Sequence, residues 1–276
     1  MKMKRRLQIE IAINVAIIIG TLVILAPFIW MWLTSLKLPQ DIFTYPPKLL
    51  PPTATLHNYI EVWTKIPFLT YLKNSTIVVS IVTISSIILG GSAGFALGKY
   101  KFPGQKIIFI LIVSTLMIPP QVTILPLFLI ASKLRVIDTY LGIVLPDLST
   151  AFGVFFMRQY VQSIPDELLD AARIDGGSEY YILSKIIFPL CKPAIATIGI
   201  FVMYTTWNSF LWPLIVTNSV KMRTLPLGLS AFKNQYFIEY GPLMSAAFLA
   251  MLPLLIIFVL AQKQVIRSIA STGLKG

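Results

Sequence analysis

The sequence predicts an all-α, polytopic membrane protein with six transmembrane helices and a structured loop between the fourth and fifth. Three observations carry that expectation. Hydrophobic residues make up 56% of the 276 and charged residues only 12%, about half the charged share of soluble domains. So little polar surface could not cover a soluble core of that size, and the bilayer must solvate most of the chain. Five uncharged stretches exceed the roughly 20 residues that a helix needs to cross a bilayer. The basic residues stand in short clusters between those stretches, which is the pattern of membrane topology and not the one-sided basic face of a nucleic-acid binder. The net charge of +12 therefore implies no nucleic-acid partner.

The five clear spans are 11–36, 74–98, 107–132, 193–220 and 240–262. Each is closed at both ends by a charge, Glu10 and Lys37 around the first and Glu239 and Lys263 around the last. A sixth, 139–157, carries Pro146 and Asp147 at its centre. An Asp there costs about 2.5–3.5 kcal/mol on insertion, which the apolar flanks offset. The basic start, Met1 to Arg6, resembles a signal peptide, but the run behind it is too long and lacks a small-x-small cleavage pattern, so it reads as an uncleaved first span. With the N-terminus inside, segments 1–10, 99–106, 158–192 and 263–276 hold 14 Lys and Arg against 9 in the outer segments. That excess favours a multi-pass protein with N-in and C-in termini, a single membrane domain over 1–276.

Two segments between and within these spans have local character. Loop 37–73 is rich in proline and predicts an irregular external cap. Gly90, Gly94 and Gly98 recur at every fourth position of the second span, a small face that admits a second helix at close range.

Segment 158–192 carries helix punctuation. Ser163 and Asp166 resemble a capping box, and Pro165 sits where a missing N–H costs nothing. Asp166 and Glu167 suit the positive end of a helix over 165–175. Gly176 and Gly177 end it, and Ser178 can cap a second helix running through Ile182 and Ile186 to Pro189. On the first helix Leu168, Ala171, Ala172 and Asp175 share a shallow face, and Asp170 can pair with Arg173 at i, i+3. So short a helix is marginal alone. Its face fits either a partner surface or the chain's own bundle.

The spacing Asp170-Ala171-Ala172, three residues, Gly176, nine residues, Ile186, one residue, Phe188-Pro189 closely resembles the EAA loop of ATP-binding-cassette importer permeases. Asp replaces the usual Glu at 170 and Phe the usual Leu at 188. Lys99-Tyr-Lys-Phe-Pro-Gly104, Met117-Ile-Pro-Pro120, Asp138-Thr-Tyr-Leu-Gly142, Trp207-Asn-Ser-Phe-Leu-Trp-Pro213 and Gly273-Leu-Lys-Gly276 extend the likeness to the carbohydrate-uptake branch, in particular its maltose-type second permease. The resemblance covers nearly the whole chain, although Thr272-Gly273-Leu274 replaces the usual Gly-Ala-Val.

The resemblance implies a permease subunit in the inner membrane of a prokaryote, not an enzyme. Its partners would be a second homologous permease, two copies of a nucleotide-binding ATPase and an extracytoplasmic solute-binding protein. ATP and Mg would bind in the ATPase partners, and this chain would hold no cofactor. The coupling helix would present Glu167, Leu168, Asp170, Ala171, Ala172, Arg173, Asp175 and Gly176 to the ATPase. Thr272, Gly273 and Lys275 would form a second contact at its dimer interface. Consistent with an energy source elsewhere, the sequence has no P-loop.

The pathway candidates are polar groups in or near the spans. Asp147 is the only acid deep in a span, and reads either as a pore-lining group or as a helix break beside Pro146. Asn74, Gln121 and Asn208 offer neutral hydrogen bonds of the kind a sugar needs. Trp207 and Trp212 are near enough to serve as an aromatic platform for one, or else fit an interfacial belt, the reading favoured here, as do Trp30 and Trp32. One cysteine and one histidine, Cys191 and His57, leave no metal or catalytic set. A sugar is favoured, because a phosphate substrate would want a lining of Arg or Lys. Glycerol-3-phosphate or another small polar solute is the alternative, as is a secondary transporter, although neither an internal repeat nor a set of intramembrane charges is present.

Overall fold

The computed structural model describes residues 2–233 and 237–273, with backbone alone over 2–8, at 261 and over 263–273. Among the described residues the regular elements are all helices. The principal ones, in chain order, are α1 (Lys2–Ser35), α2 (His57–Lys65), α3 (Phe68–Lys99), α4 (Gln105–Met117), α5 (Pro120–Lys133), α6 (Tyr140–Asp147), α7 (Ala151–Val161), α8 (Glu167–Ile174), α9 (Glu179–Leu190), α10 (Lys192–Trp207), α11 (Leu211–Val216) and α12 (Tyr240–Gly273); short helical turns also occur at Pro39–Ile42, Val220–Met222, Leu225–Leu229 and Ser230–Phe232.

Among the described residues, three unbroken helices are long and apolar enough to cross a membrane, at Ile9–Ser35, Phe68–Lys99 and Tyr240–Leu260. Three bent pairs pass the same test together, and with them the count reaches six. Three of the apolar stretches are interrupted by bends. Stretch 107–132 turns by 106° between α4 and α5. Pro119 and Pro120 stand at that corner; a residue before proline avoids the helical region, and Ile118 is extended (φ −84°, ψ 119°). Stretch 139–157 bends by 42° between α6 and α7, beyond Pro146 and Asp147. Stretch 193–220 is helical only to Trp207, then breaks and resumes as the six residues of α11. The pair that passes the apolar test there is α9 with α10, joined at 81°.

The chain forms two compact units, residues 1–68 with 229–252 and residues 69–228 with 253–276. In the first, α2 packs where α1 ends and α12 begins. The Asn58 Nδ2 group donates to the carbonyls of Ser35 (2.9 Å) and Lys37 (2.7 Å), and Ser35 Oγ lies 2.7 Å from Tyr59 Oη. Any side chain at Gly241 would collide with Asn58.

In the second unit α3 and α7 pack along the glycine stripe. A Cβ built on Gly90 would meet the Gly153 and Val154 backbone at 3.4 Å, and one on Gly94 would meet Val154 O at 2.7 Å and Arg158 N at 2.9 Å. A Cβ on Gly98 would collide with the Val161 side chain. The every-fourth-residue spacing is thus a helix-packing face, as small residues in membranes provide. Around it Val78, Val82, Met157, Val161, Ile187, Ala194 and Ile198 form a buried core.

Candidate functional site

Helix α8 is shorter than 165–175 and its capping box does not form. Glu167 is its first residue, and Asp166 at the N-cap makes no side-chain capping bond. Ser163 Oγ donates instead to Tyr160 O at 2.7 Å. The Asp166 carboxylate is taken up by Lys99, whose ammonium reaches Asp166 Oδ1 at 2.6 Å and also the Ile164 carbonyl. The C-terminal punctuation is as expected. Gly176 has φ +82°, and the Ser178 hydroxyl accepts from Tyr181 N at 3.2 Å. Helix α9 then runs through a π turn, Ile182–Ile187.

Helix α8 has one buried and one exposed face. Leu169 and Ala172 are buried in the hydrophobic core with Ile164 and Ile182. Leu168, Ala171 and Asp175 stay exposed and, with Ala172, Gly176, Gly177, Ser178 and Tyr181, line a cleft of about 590 Å³. Glu167 is also exposed. Asp170 pairs with Arg173 at 3.0 Å, the expected i, i+3 contact.

Arg173 does more than that pair. Its Nε donates to Glu179 Oε1 at 2.9 Å, across the Gly176 turn, and its guanidinium lies 5.8 Å from the Tyr100 ring centre. The Tyr100 hydroxyl donates to Glu179. Arg158 Nε donates to Leu97 O at 3.0 Å, and its guanidinium lies 3.9 Å from the Phe109 ring centre. Residues 97–100, at the end of α3, therefore grip the loop at three places. The Arg173 bond, followed by that from Tyr100, holds the Glu179 carboxyl below its usual range. The Lys99 bond does the same for Asp166. Lys99 and Tyr100 stand in a motif that assigns them no contact, and Glu179 stands in none. Their signal was a polar cluster at a span end, but its target is 65 to 79 residues away in the chain.

A second cleft, of about 600 Å³, lies among α4, α5, α6 and the α10–α11 break. Gln121 and Asp147 line it, with Thr115, Thr123, Ser209, Phe210 and Trp212. Asp147 is exposed to it from a 3₁₀ turn. Among its lining residues there is no Lys or Arg.

The other two polar candidates are placed differently. Asn208 is exposed, its Nδ2 turned back onto Tyr204 O at 2.8 Å, and does not line that cleft. Asn74 is buried. It donates to the Lys221 and Arg223 carbonyls, both at 2.8 Å, and accepts from Tyr140 Oη at 2.6 Å. With those bonds it pins the segment before residue 224. The belt reading of two tryptophans also changes. Trp207 is buried, and Trp212 Nε1 donates to the Gly142 and Ile143 carbonyls at 3.2 and 3.1 Å while lining the cleft.

The motif Asp138 to Gly142 is a fastening device. The Asp138 carboxylate accepts from the Asn218 and Ser219 amides, each at 2.9 Å. Thr139 caps α6 through Gly142 N at 3.1 Å. Of the tail candidates, Thr272 and Gly273 end the α12 helix, and Lys275 lies outside the described residues.

The family model for the binding-protein-dependent transport system inner membrane component matches residues 86–271. An arabinooligosaccharides transport system permease protein from Halalkalibacterium halodurans is 37% identical over 82% of this chain and 81% of its own. An sn-glycerol-3-phosphate transport system permease protein from Escherichia coli O1:K1 is 30% identical over 93% and 94%. A solved structure of a bacterial ABC transporter involved in the import of the acidic polysaccharide alginate matches with a TM-score of 0.81, at 24% identity over 92% of this chain and 95% of that one. This chain therefore belongs to the inner membrane components of binding-protein-dependent transport systems, and is a permease subunit of an ABC importer.

Proposed function

We propose that this permease forms half of the translocation pathway for a sugar or oligosaccharide and is driven through α8 by a nucleotide-binding partner. The observation that carries the reading is the division of α8 into two faces. Leu169 and Ala172 anchor the helix to the bundle, while Leu168, Ala171 and Asp175 face a cleft open to a partner. A shallow, alanine-bearing face admits close approach of another surface, and the grip by Lys99, Tyr100 and Arg158 joins the loop to α3. Displacement of α8 would then move α3 and, through the glycine stripe, α7.

In this reading the assembly comprises a second homologous permease, two ATPase subunits that bind ATP and Mg, and an external binding protein. The N- and C-termini lie inside, where α8 meets the ATPase. Glu167, Asp170, Arg173 and Gly176 belong to the same contact, and Thr272, Gly273 and Lys275 form a second one. The substrate pathway uses the cleft of Gln121 and Asp147. Its lining has hydrogen-bonding groups and Trp212 but no cation, which favours a neutral carbohydrate, and the arabino-oligosaccharide relative is named for one. A second reading, glycerol-3-phosphate, is favoured by the name of the Escherichia coli relative.

Reconstitution with the partner subunits tests both parts. Uptake of an oligosaccharide should require ATP and should fall to background when Asp170→Lys and Gly176→Val are combined. Uptake that persists without ATP would sink the coupling reading and favour a secondary transporter.

A further inference from the structure

The connection between α1 and α3 contains a helix with three distinct faces. On α2, Asn58 and Val62 are buried. The row His57, Glu61 and Lys65 is polar and internally paired, with Glu61 3.4 Å from His57 and 3.3 Å from Lys65. Lys65 also reaches Glu239 at 2.7 Å. The third face is apolar and uncovered: Leu56 is 66% exposed, Ile60 58% and Trp63 49%. At about 100° per residue these three lie on one stripe, and the polar row lies on the other side of the buried one.

The depth of this helix is fixed by its neighbours. Asn58 bonds the carbonyl of Ser35, the last residue of α1, and packs against Gly241, the second residue of α12. The Trp63 ring meets Phe68, the first residue of α3, at 5.0 Å. Only Ile66 and Pro67 separate α2 from α3, a link of at most about 10 Å. So α2 sits at the level where three spanning helices begin or end. Near the same end of α1, Phe28, Trp30 and Trp32 are also exposed apolar residues. A helix with one apolar face bearing Trp and one charged face, at that depth, has the form of an interfacial helix.

We infer that α2 lies in the membrane–water interface, with Leu56, Ile60 and Trp63 immersed among lipid acyl chains and the His57–Glu61–Lys65 row toward water. The connection would then anchor the ends of α1 and α12 at the bilayer surface. This goes beyond the transport reading and does not depend on it.

The test is nitroxide accessibility in the full chain. In a Cys191→Ser background, Ile60→Cys, Trp63→Cys and, as a polar control, Glu61→Cys are labelled. The transporter is purified through a tag on this chain and returned to phosphatidylethanolamine–phosphatidylglycerol vesicles. Oxygen should reach the labels at 60 and 63 in preference to a water-soluble nickel chelate, and the order should reverse at 61. A label at 60 reached mainly by the nickel chelate overturns the inference. So does exclusion of both reagents, which would mean a permease partner covers the stripe, or immobilisation only on adding the binding protein, which would make it a docking face. Two independent apolar positions keep the test decisive if one variant fails to assemble.

Discussion

Single atoms decide much at the α3–α7 contact. Gly94 has no room for a methyl group, because backbone atoms of Val154 and Arg158 stand within 2.9 Å of its Cβ position. Gly94→Ala should lower stability by about 1–3 kcal/mol through overpacking, despite alanine's better helix propensity. Gly20→Ala, with nothing within 4 Å, should be neutral or slightly stabilising. Thermal unfolding in detergent separates the two. Gly176 is a different case. Its Cβ would meet open space, so only its φ of +82° matters. Gly176→Ala should cost about 1–2 kcal/mol, whereas Gly176→Asn should keep most function because Asn tolerates that region. Comparing ATP-driven uptake of the two variants checks this. The stripe and the turn were legible because both follow from backbone spacing alone. The pairing of Asp166 with Lys99 was not, because Lys99 is remote in sequence from Asp166 and only folding brings its charge there.

At the scale of the element, the question is what holds α8 to α3. The Lys99 side chain is 5% exposed but Asp166 is 75% exposed. A pair that open to water contributes little on its own. The stronger contribution is the bond from Lys99 to the Ile164 carbonyl, in a buried residue. Lys99→Met should therefore loosen the loop more than Asp166→Asn does, by about 1–3 kcal/mol for the unsatisfied carbonyl. Hydrogen exchange over 164–176 measures the difference. Acid acts on the same grip. Asp166 and Glu179 have carboxyls held below their ordinary range by Lys99 and Arg173. Their contribution is fully present above the ordinary carboxylate value of about 4 and disappears as pH falls through the lower, folded value. Loop protection, corrected for intrinsic exchange, should stay flat from about pH 8 to 5 and fall only below about 4. A loss centred near neutral pH would contradict this account.

For the whole molecule, the two clefts predict separable phenotypes. Asp147→Asn and Gln121→Ala should alter uptake while leaving copurification of the ATPase subunits intact. Asn74→Ala should instead reduce folded protein, because it frees two carbonyls and a tyrosine hydroxyl at once. Yield and uptake per folded transporter distinguish these outcomes. The difference between Asp147 and Asn74 was invisible in the linear chain, where both are polar groups at a span. Burial and bonding partners separate them, and those come from elements up to 149 residues away.

The sequence by itself determined whatever depends on composition and local periodicity. That includes the membrane as solvent, the number of apolar stretches, the glycine face and the loop spacing from Asp170 to Pro189. These are legible because bilayer thickness and helical pitch impose fixed lengths on any chain. Only the tertiary structure decided where the apolar stretches bend, which face of α8 stays exposed, and that residues 97–100 grip the loop. It also decided that α2 lies against the ends of α1 and α12 with an apolar stripe uncovered. Each of these depends on groups far apart in sequence competing for one another's bonds and surface, and that competition is resolved only when packing brings them together.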